Sequence, residues 1–101
     1  MLRIYDECLE LVRECRVTAE AMDCDQRRQL RRAALSVPLN VAEGSGQRLG
    51  NRRLRYETAL GSAREVLANL ECGEAIGDVA FPEETRRRLN RIIGTLVRVL
   101  Y

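Results

Sequence analysis

An all-α fold, an antiparallel up-down four-helix bundle, is predicted by three observations. Apolar residues recur at steps of three and four along four separate segments. Short turns carrying Gly, Pro and Asp divide those segments. The composition, 46% hydrophobic and 32% charged with two prolines in 101 residues, fits a single helical domain over residues 1–101 better than a disordered chain or a β-sandwich. At this length association with further copies adds useful burial.

The first helix is expected over about residues 2–22. Ile4, Tyr5, Cys8, Leu11, Val12, Cys15, Ala19 and Met22 make its core stripe. Leu2 and Leu9 lie on the shoulder, about 100° from the centre of that stripe, where a lone bundle places polar groups. They are therefore read as contacts to a neighbouring subunit. A polar turn over about residues 23–25 follows, with Asp25 placed to cap the next helix.

The second helix is expected over about residues 26–43. Leu30, Ala33, Ala34, Val37, Val41 and Gly44 form a narrow face of mostly small residues that a partner helix can approach closely. Arg32, Ser36, Asn40 and Glu43 recur at steps of four, four and three and share another side. Opposite the small face lie Leu35, Leu39 and Ala42, so this helix has two apolar patches and needs two partners. Pro38 costs roughly 3 kcal/mol inside a regular helix; it either kinks the helix or opens a second short one as its first residue. A kink turns the Leu35–Leu39 patch inward; without one, another subunit covers it. Gly44, Ser45 and Gly46 are expected to end the helix.

The linking run GSGQRLG is glycine-rich but lacks the Gly-Lys-Ser/Thr ending of a nucleotide-binding loop, so it reads as a connector. Asn51 is the expected cap of a third helix over about residues 52–76. Its core stripe is Tyr56, Ala59, Leu60, Ala63, Val66, Leu67 and Leu70, while Thr58, Gly61, Ser62 and Glu65 gather elsewhere on the wheel. Gly77 ends it, and Pro82 opens the fourth helix, with Glu83 and Glu84 where the helix dipole favours acids. Leu89, Ile92, Ile93, Leu96, Val99 and Leu100 are its predicted core. Arg87, Arg91 and Arg98 fall within about 40° of one another as an outward row.

Two phrases within this pattern, RRAALSVPLNVAEG from Arg31 and ALGSAREVL from Ala59, resemble the four-helix-bundle family named for 23S rRNA intervening-sequence proteins. The resemblance covers essentially the whole chain. It implies an antiparallel four-helix bundle that assembles as a ring-like homo-oligomer, often a pentamer. It also implies kinship with accessory proteins of diversity-generating retroelements, and hence RNA, DNA or a reverse transcriptase as partners. It implies no catalytic activity. The motif positions are Arg32, Ser36, Asn40, Glu43, Gly61, Ser62 and Glu65, for which the residues themselves suggest a polar network that fixes helix packing.

A net charge of +2 does not by itself mark a nucleic-acid binder. All seventeen basic residues are arginine, the side chain suited to bidentate phosphate or carboxylate contacts. On an up-down bundle Arg27, Arg28, Arg31, Arg32, Arg86, Arg87, Arg88 and Arg91 collect at one pole, and Arg3, Arg48, Arg52, Arg53, Arg55 and Arg98 at the other. Arg28, Arg31, Arg48, Arg52, Arg53, Arg87, Arg91 and Arg98 are the candidate nucleic-acid contacts. The competing reading is a structural or protein-binding module whose arginines pair with its own acids, among them Glu20, Asp23, Asp25, Glu57, Asp78, Glu83 and Glu84.

The chain has no histidine, no C-x-x-C spacing and no base beside Ser36 or Ser62, so no catalytic residue, metal site or cofactor is expected. Cys8, Cys15, Cys24 and Cys72 read as buried reduced thiols, with a Cys24–Cys72 contact left open. No uncharged run approaches the roughly 18 residues of a membrane span, and Arg3, Asp6 and Glu7 interrupt any leader core, so a cytoplasmic location is expected.

Overall fold

The computed structural model describes residues 2–46 and 48–101; Gln47, inside the glycine-rich run, lies outside the described residues. The chain forms α1 (Tyr5–Ala19), α2 (Cys24–Ser45), α3 (Leu49–Ala75) and α4 (Glu83–Leu100), with no strand among the described residues. It is an all-α rod of 42 × 23 × 20 Å. No helix is long and apolar enough to cross a membrane among the described residues. Each helix packs on two others, α1 on α2 and α4, α3 on α2 and α4.

Contacts between neighbouring helices run in antiparallel register. Ser45 meets Tyr56 and Ser36 meets Ser62 between α2 and α3, Arg53 reaches Leu100 between α3 and α4, and Arg88 and Arg91 reach Glu14 and Glu7 between α4 and α1. The shared interior is the stripe the periodicity marks. Leu11, Leu30, Leu70, Leu89, Ile92 and Leu96 are fully buried, and burial of each such side chain stabilises by about 1.5–3 kcal/mol. The α2–α3 pairing is the most extensive and α1–α4 the least. Buried Ala33, Ala34, Ala59 and Ala63 keep the backbones of α2 and α3 close.

Several ends differ from the expectation. α1 stops at Ala19, where Glu20, Ala21 and Met22 close with bonds to carbonyls three residues back. Arg27 then reaches across the turn to donate to the carbonyls of Ala19 (3.3 Å) and Met22 (3.1 Å). The cap of α2 is Asp23 rather than Asp25: its carboxylate accepts from the Gln26 backbone N–H at 2.9 Å. α2 passes through Pro38 without restarting and ends, as expected, within the Gly44, Ser45 and Gly46 cluster, with Ser45 its last residue and Gly46 at the cap. α3 begins at Leu49 with Arg48 in the cap position, which puts Asn51 inside the first turn instead of before it. Pro82 stands at the cap of α4 rather than as its first residue. Gly77, at φ 85°, supplies the left-handed residue that turns the chain after α3.

The side-chain pattern needs four corrections. Val99 is exposed, because α4 ends one residue later and only Leu100 turns inward. Thr85, unremarked in the sequence, is fully buried in the first turn of α4. Only Cys8 and Cys15 are buried; Cys24 and Cys72 are exposed, and all four are free thiols. Burial pushes both inner thiols up to about 12.

Candidate functional site

The two halves of the sequence motif come together on the seam between α2 and α3. Ser36 and Asn40 sit one turn apart on α2, and the antiparallel register brings Ser62 of α3 opposite them. The Ser62 hydroxyl donates to Ser36 Oγ at 2.8 Å, and Asn40 Nδ2 donates to the Ser36 carbonyl (2.9 Å) and hydroxyl (3.0 Å). Arg55 extends the chain by donating to Asn40 Oδ1 at 3.4 Å, a member the sequence did not single out. Ser36, Asn40 and Ser62 are half-buried and satisfy one another, so short polar contacts pin the seam, with exposed Arg55 at its edge.

The other motif residues stand outside that network. Arg32, Glu43, Gly61 and Glu65 are exposed, and no hydrogen bond or ion pair holds their side chains among the described residues. Beside them Leu35 is 51% exposed and Leu39 57%, so Pro38 does not turn this patch inward. A Cβ on Gly61 meets nothing within 4 Å, leaving bare helix backbone on the surface. Leu39, Asn40, Glu43 and Arg55 border a shallow depression of about 570 Å³ on the same seam. Of the other two expected interface leucines, Leu2 packs partly buried against the core and Leu9 is half-buried.

The arginines split into two classes. Arg53 is engaged by Glu57 at 2.9 Å and the Leu100 carbonyl at 2.8 Å, and stacks over Tyr101. Arg28 stands 4.0 Å from Asp25, and Arg52 is half-buried with a partner inside the chain. Arg91 donates to Glu7 at 2.9 Å. Among the described residues Arg31, Arg48 and Arg87 are exposed without an acidic partner, and Arg98 bonds only the Thr95 hydroxyl at 3.3 Å. Arg3, Arg16, Arg32 and Arg64 also lack an acidic partner among the described residues, and Arg16, Arg31 and Arg32 line one groove between α1 and α2 over Val12, Ala34 and Leu35.

The strongest charge cluster was not legible beforehand because its members are far apart in sequence. Arg88, only 11% exposed, bonds Glu14 at 2.7 Å, Glu7 at 2.9 Å and Glu84 at 3.3 Å. Burial works against its charge, but the Glu14 and Glu7 carboxylates outweigh it and hold the guanidinium more firmly protonated than usual. The hydrogen bond from Arg91, helped by the charges of both arginines, holds the Glu7 carboxyl below its usual range. This cluster bridges α1 and α4, the least extensive of the four helix pairings.

The whole chain, residues 1–101, matches the family model described as 23S rRNA-intervening sequence protein. A search of curated proteins finds no match.

Proposed function

Since the chain belongs to the 23S rRNA-intervening sequence protein family, we propose that it is a non-enzymatic, cytoplasmic homo-oligomer that binds nucleic acid through arginine–phosphate contacts as an accessory factor. The observation that carries the reading is the set of exposed arginines with no hydrogen-bond or ion-pair partner among the described residues: Arg3, Arg16, Arg31, Arg32, Arg48, Arg64 and Arg87. Of these, Arg3 borders the cleft between α1 and α4, and Arg16, Arg31 and Arg32 border the groove between α1 and α2, where phosphates of a partner can reach them. The pairing of Arg53, Arg86, Arg88 and Arg91 with internal acids favours the second reading, a structural or protein-binding module.

Assembly strengthens the first reading. Leu35 and Leu39 on α2 and bare Gly61 on α3 are all exposed, surfaces that a second copy would cover. A ring, with the pentamer expected of this family, repeats each modest phosphate contact and so multiplies weak affinities. A reverse transcriptase is the protein partner the same kinship suggests.

The test is a salt titration of RNA and duplex DNA binding. The logarithm of affinity should fall with the logarithm of salt with a slope of about 0.9 per phosphate engaged on duplex DNA. Changing Arg16, Arg31 and Arg32 together to Gln, and separately Arg87, Arg91 and Arg98, should each lower that slope. No binding at low salt would leave the module reading. Light scattering checks assembly: Leu35→Glu with Leu39→Glu should dissociate it while helicity persists, and a monomeric wild type would sink the oligomer.

A further inference from the structure

The start of α1 and the second half of α4 enclose a cleft of about 520 Å³ that the seam and the α1–α2 groove do not share. Three guanidinium groups face it, from Arg3, Arg91 and Arg98, against one carboxylate, Glu7; Asn90 and Thr95 add neutral polar groups, and Ile4 is the apolar floor. Arg98 folds back along α4, its Nη1 only 3.3 Å from the point where a Cβ on Gly94 would stand. Its Nη2 donates to the Thr95 hydroxyl, so the side chain is held in place without its charge being neutralised. Arg3 has no partner among the described residues.

Arg91 alone among the three is occupied, and its occupant is an oxyanion. Glu7 Oε2 accepts from Arg91 Nη2 and from Arg88 Nη1, both at 2.9 Å. Arg88 does not depend on that bond, since it also holds Glu14 at 2.7 Å and Glu84 at 3.3 Å. Arg91 is 54% exposed and has no second acid among the described residues, so its guanidinium can exchange Glu7 for another oxyanion at small structural cost. The carboxylate oxygen that accepts from Arg91 stands where a non-bridging phosphodiester oxygen can accept in its place.

We propose that this α1–α4 cleft is a phosphodiester seat in which Arg3, Arg91 and Arg98 contact the strand, and that Glu7 is a built-in competitor that holds Arg91 in place and limits affinity. The proposal rests on the nucleic-acid reading above and adds to it the site and its restraint. Removing the charge at Glu7 frees Arg91 and raises the net charge facing the cleft from two to three. The same charge change far from the cleft does not.

The experiment measures anisotropy of a fluorescein-labelled RNA hairpin with the full chain at fixed salt, for wild type, Glu7→Gln, Glu83→Gln, and Arg3→Gln combined with Arg98→Gln. Glu83→Gln carries the same charge change at an exposed position in the first turn of α4. Glu7→Gln should bind about threefold or more tighter than wild type, the worth of about one phosphate contact near 0.1 M salt, and exceed Glu83→Gln. The Arg3/Arg98 variant, which leaves the Glu7–Arg88 contact untouched, should lose about tenfold or more by the same scale. Calorimetry with inorganic phosphate separates sources: saturation by free phosphate with no RNA binding overturns the polymer assignment. Glu7→Gln no tighter than Glu83→Gln, or an Arg3/Arg98 variant that binds like wild type, overturns the cleft alone. Absence of RNA binding by wild type at low salt overturns the nucleic-acid reading with it.

Discussion

Gly44→Ala adds one methyl group inside α2, where an alanine is ordinarily better than glycine by about 1 kcal/mol. Here it should destabilise. A Cβ at residue 44 would stand 2.7 Å from Tyr56 Cδ1 and nearer still to Cε1, well inside the 3.5–4.0 Å at which carbons rest against each other. Tyr56 is 4% exposed, and its hydroxyl lies 3.4 Å from Ser45 Oγ, so the ring has no free direction in which to swing. Overpacking of this kind costs about 1–3 kcal/mol. Gly61→Ala is the matched control, since Gly61 is also inside a helix and its added Cβ meets nothing within 4 Å; that variant should gain about 0.5–1 kcal/mol in the subunit. Comparing the two removes most of the propensity term and leaves the overlap, so their midpoints in urea, followed by circular dichroism at one protein concentration, should differ in opposite directions from wild type. Tyr56→Leu should relieve the conflict, making Gly44→Ala less costly in that background than alone. Equal stability of the two alanine variants, or strict additivity with Tyr56→Leu, would refute the argument. Gly61→Ala also bears on assembly, for a copy packed against that backbone should be loosened by the methyl even as the subunit is stabilised.

Three further outcomes follow from buried or paired groups. Thr85 Oγ1 is buried without a hydrogen-bond partner among the described residues, so Thr85→Val, which keeps the shape and removes the hydroxyl, should stabilise by about 1–3 kcal/mol in thermal or urea unfolding. Glu7 has a folded-state pKa below its ordinary 4.5, because Arg91 donates to its ionised form; its contribution is therefore complete above that value and lost as pH falls through the lower folded one. Glu7→Gln should flatten this acid limb of the stability profile, and an unchanged limb would show that the pair contributes nothing. Cys8 and Cys15, buried and pushed up to about 12, should resist a thiol reagent until the chain unfolds, whereas exposed Cys24 and Cys72 should react in the native state; mass spectrometry of labelled peptides reads both.

The helical layout was legible because it depends on a quantity written locally. A residue at the stripe of an amphipathic helix must be buried whichever helix it meets, and Leu11, Leu30, Leu70 and Leu96 are. Helix ends depend on groups that the periodicity does not carry. Arg27 caps the end of α1 from eight residues away, and Asp23 rather than Asp25 caps α2 because the helix starts two residues before the predicted position. Of the Arg88 cluster only Glu84, four residues before it, carries a local signal; Glu14 and Glu7 are 74 and 81 residues distant and meet it only through the register of α1 against α4. Gly44 was placed correctly on the close-approach face, yet its partner Tyr56 and its role inside the helix required the second backbone.

The motif separates in a more informative way. Ser36, Asn40 and Ser62 are explained by the single chain, because each finds its hydrogen-bond partner across or along the α2–α3 seam. Arg32, Glu43, Gly61 and Glu65 are not, since they are exposed and, among the described residues, make no contact that needs an arginine, a carboxylate or a missing side chain. An exposed glycine in mid-helix costs the subunit about 0.5–1 kcal/mol with no return from its own fold. Intersubunit packing would supply that return, with helix backbone against Gly61 and opposite charges against Arg32, Glu43 and Glu65. Charge reversal at Arg32 should then weaken assembly and leave the urea midpoint of the isolated subunit within about 0.5 kcal/mol of wild type, the range for an exposed surface position. A reversal that unfolds the subunit instead would return these residues to the bundle.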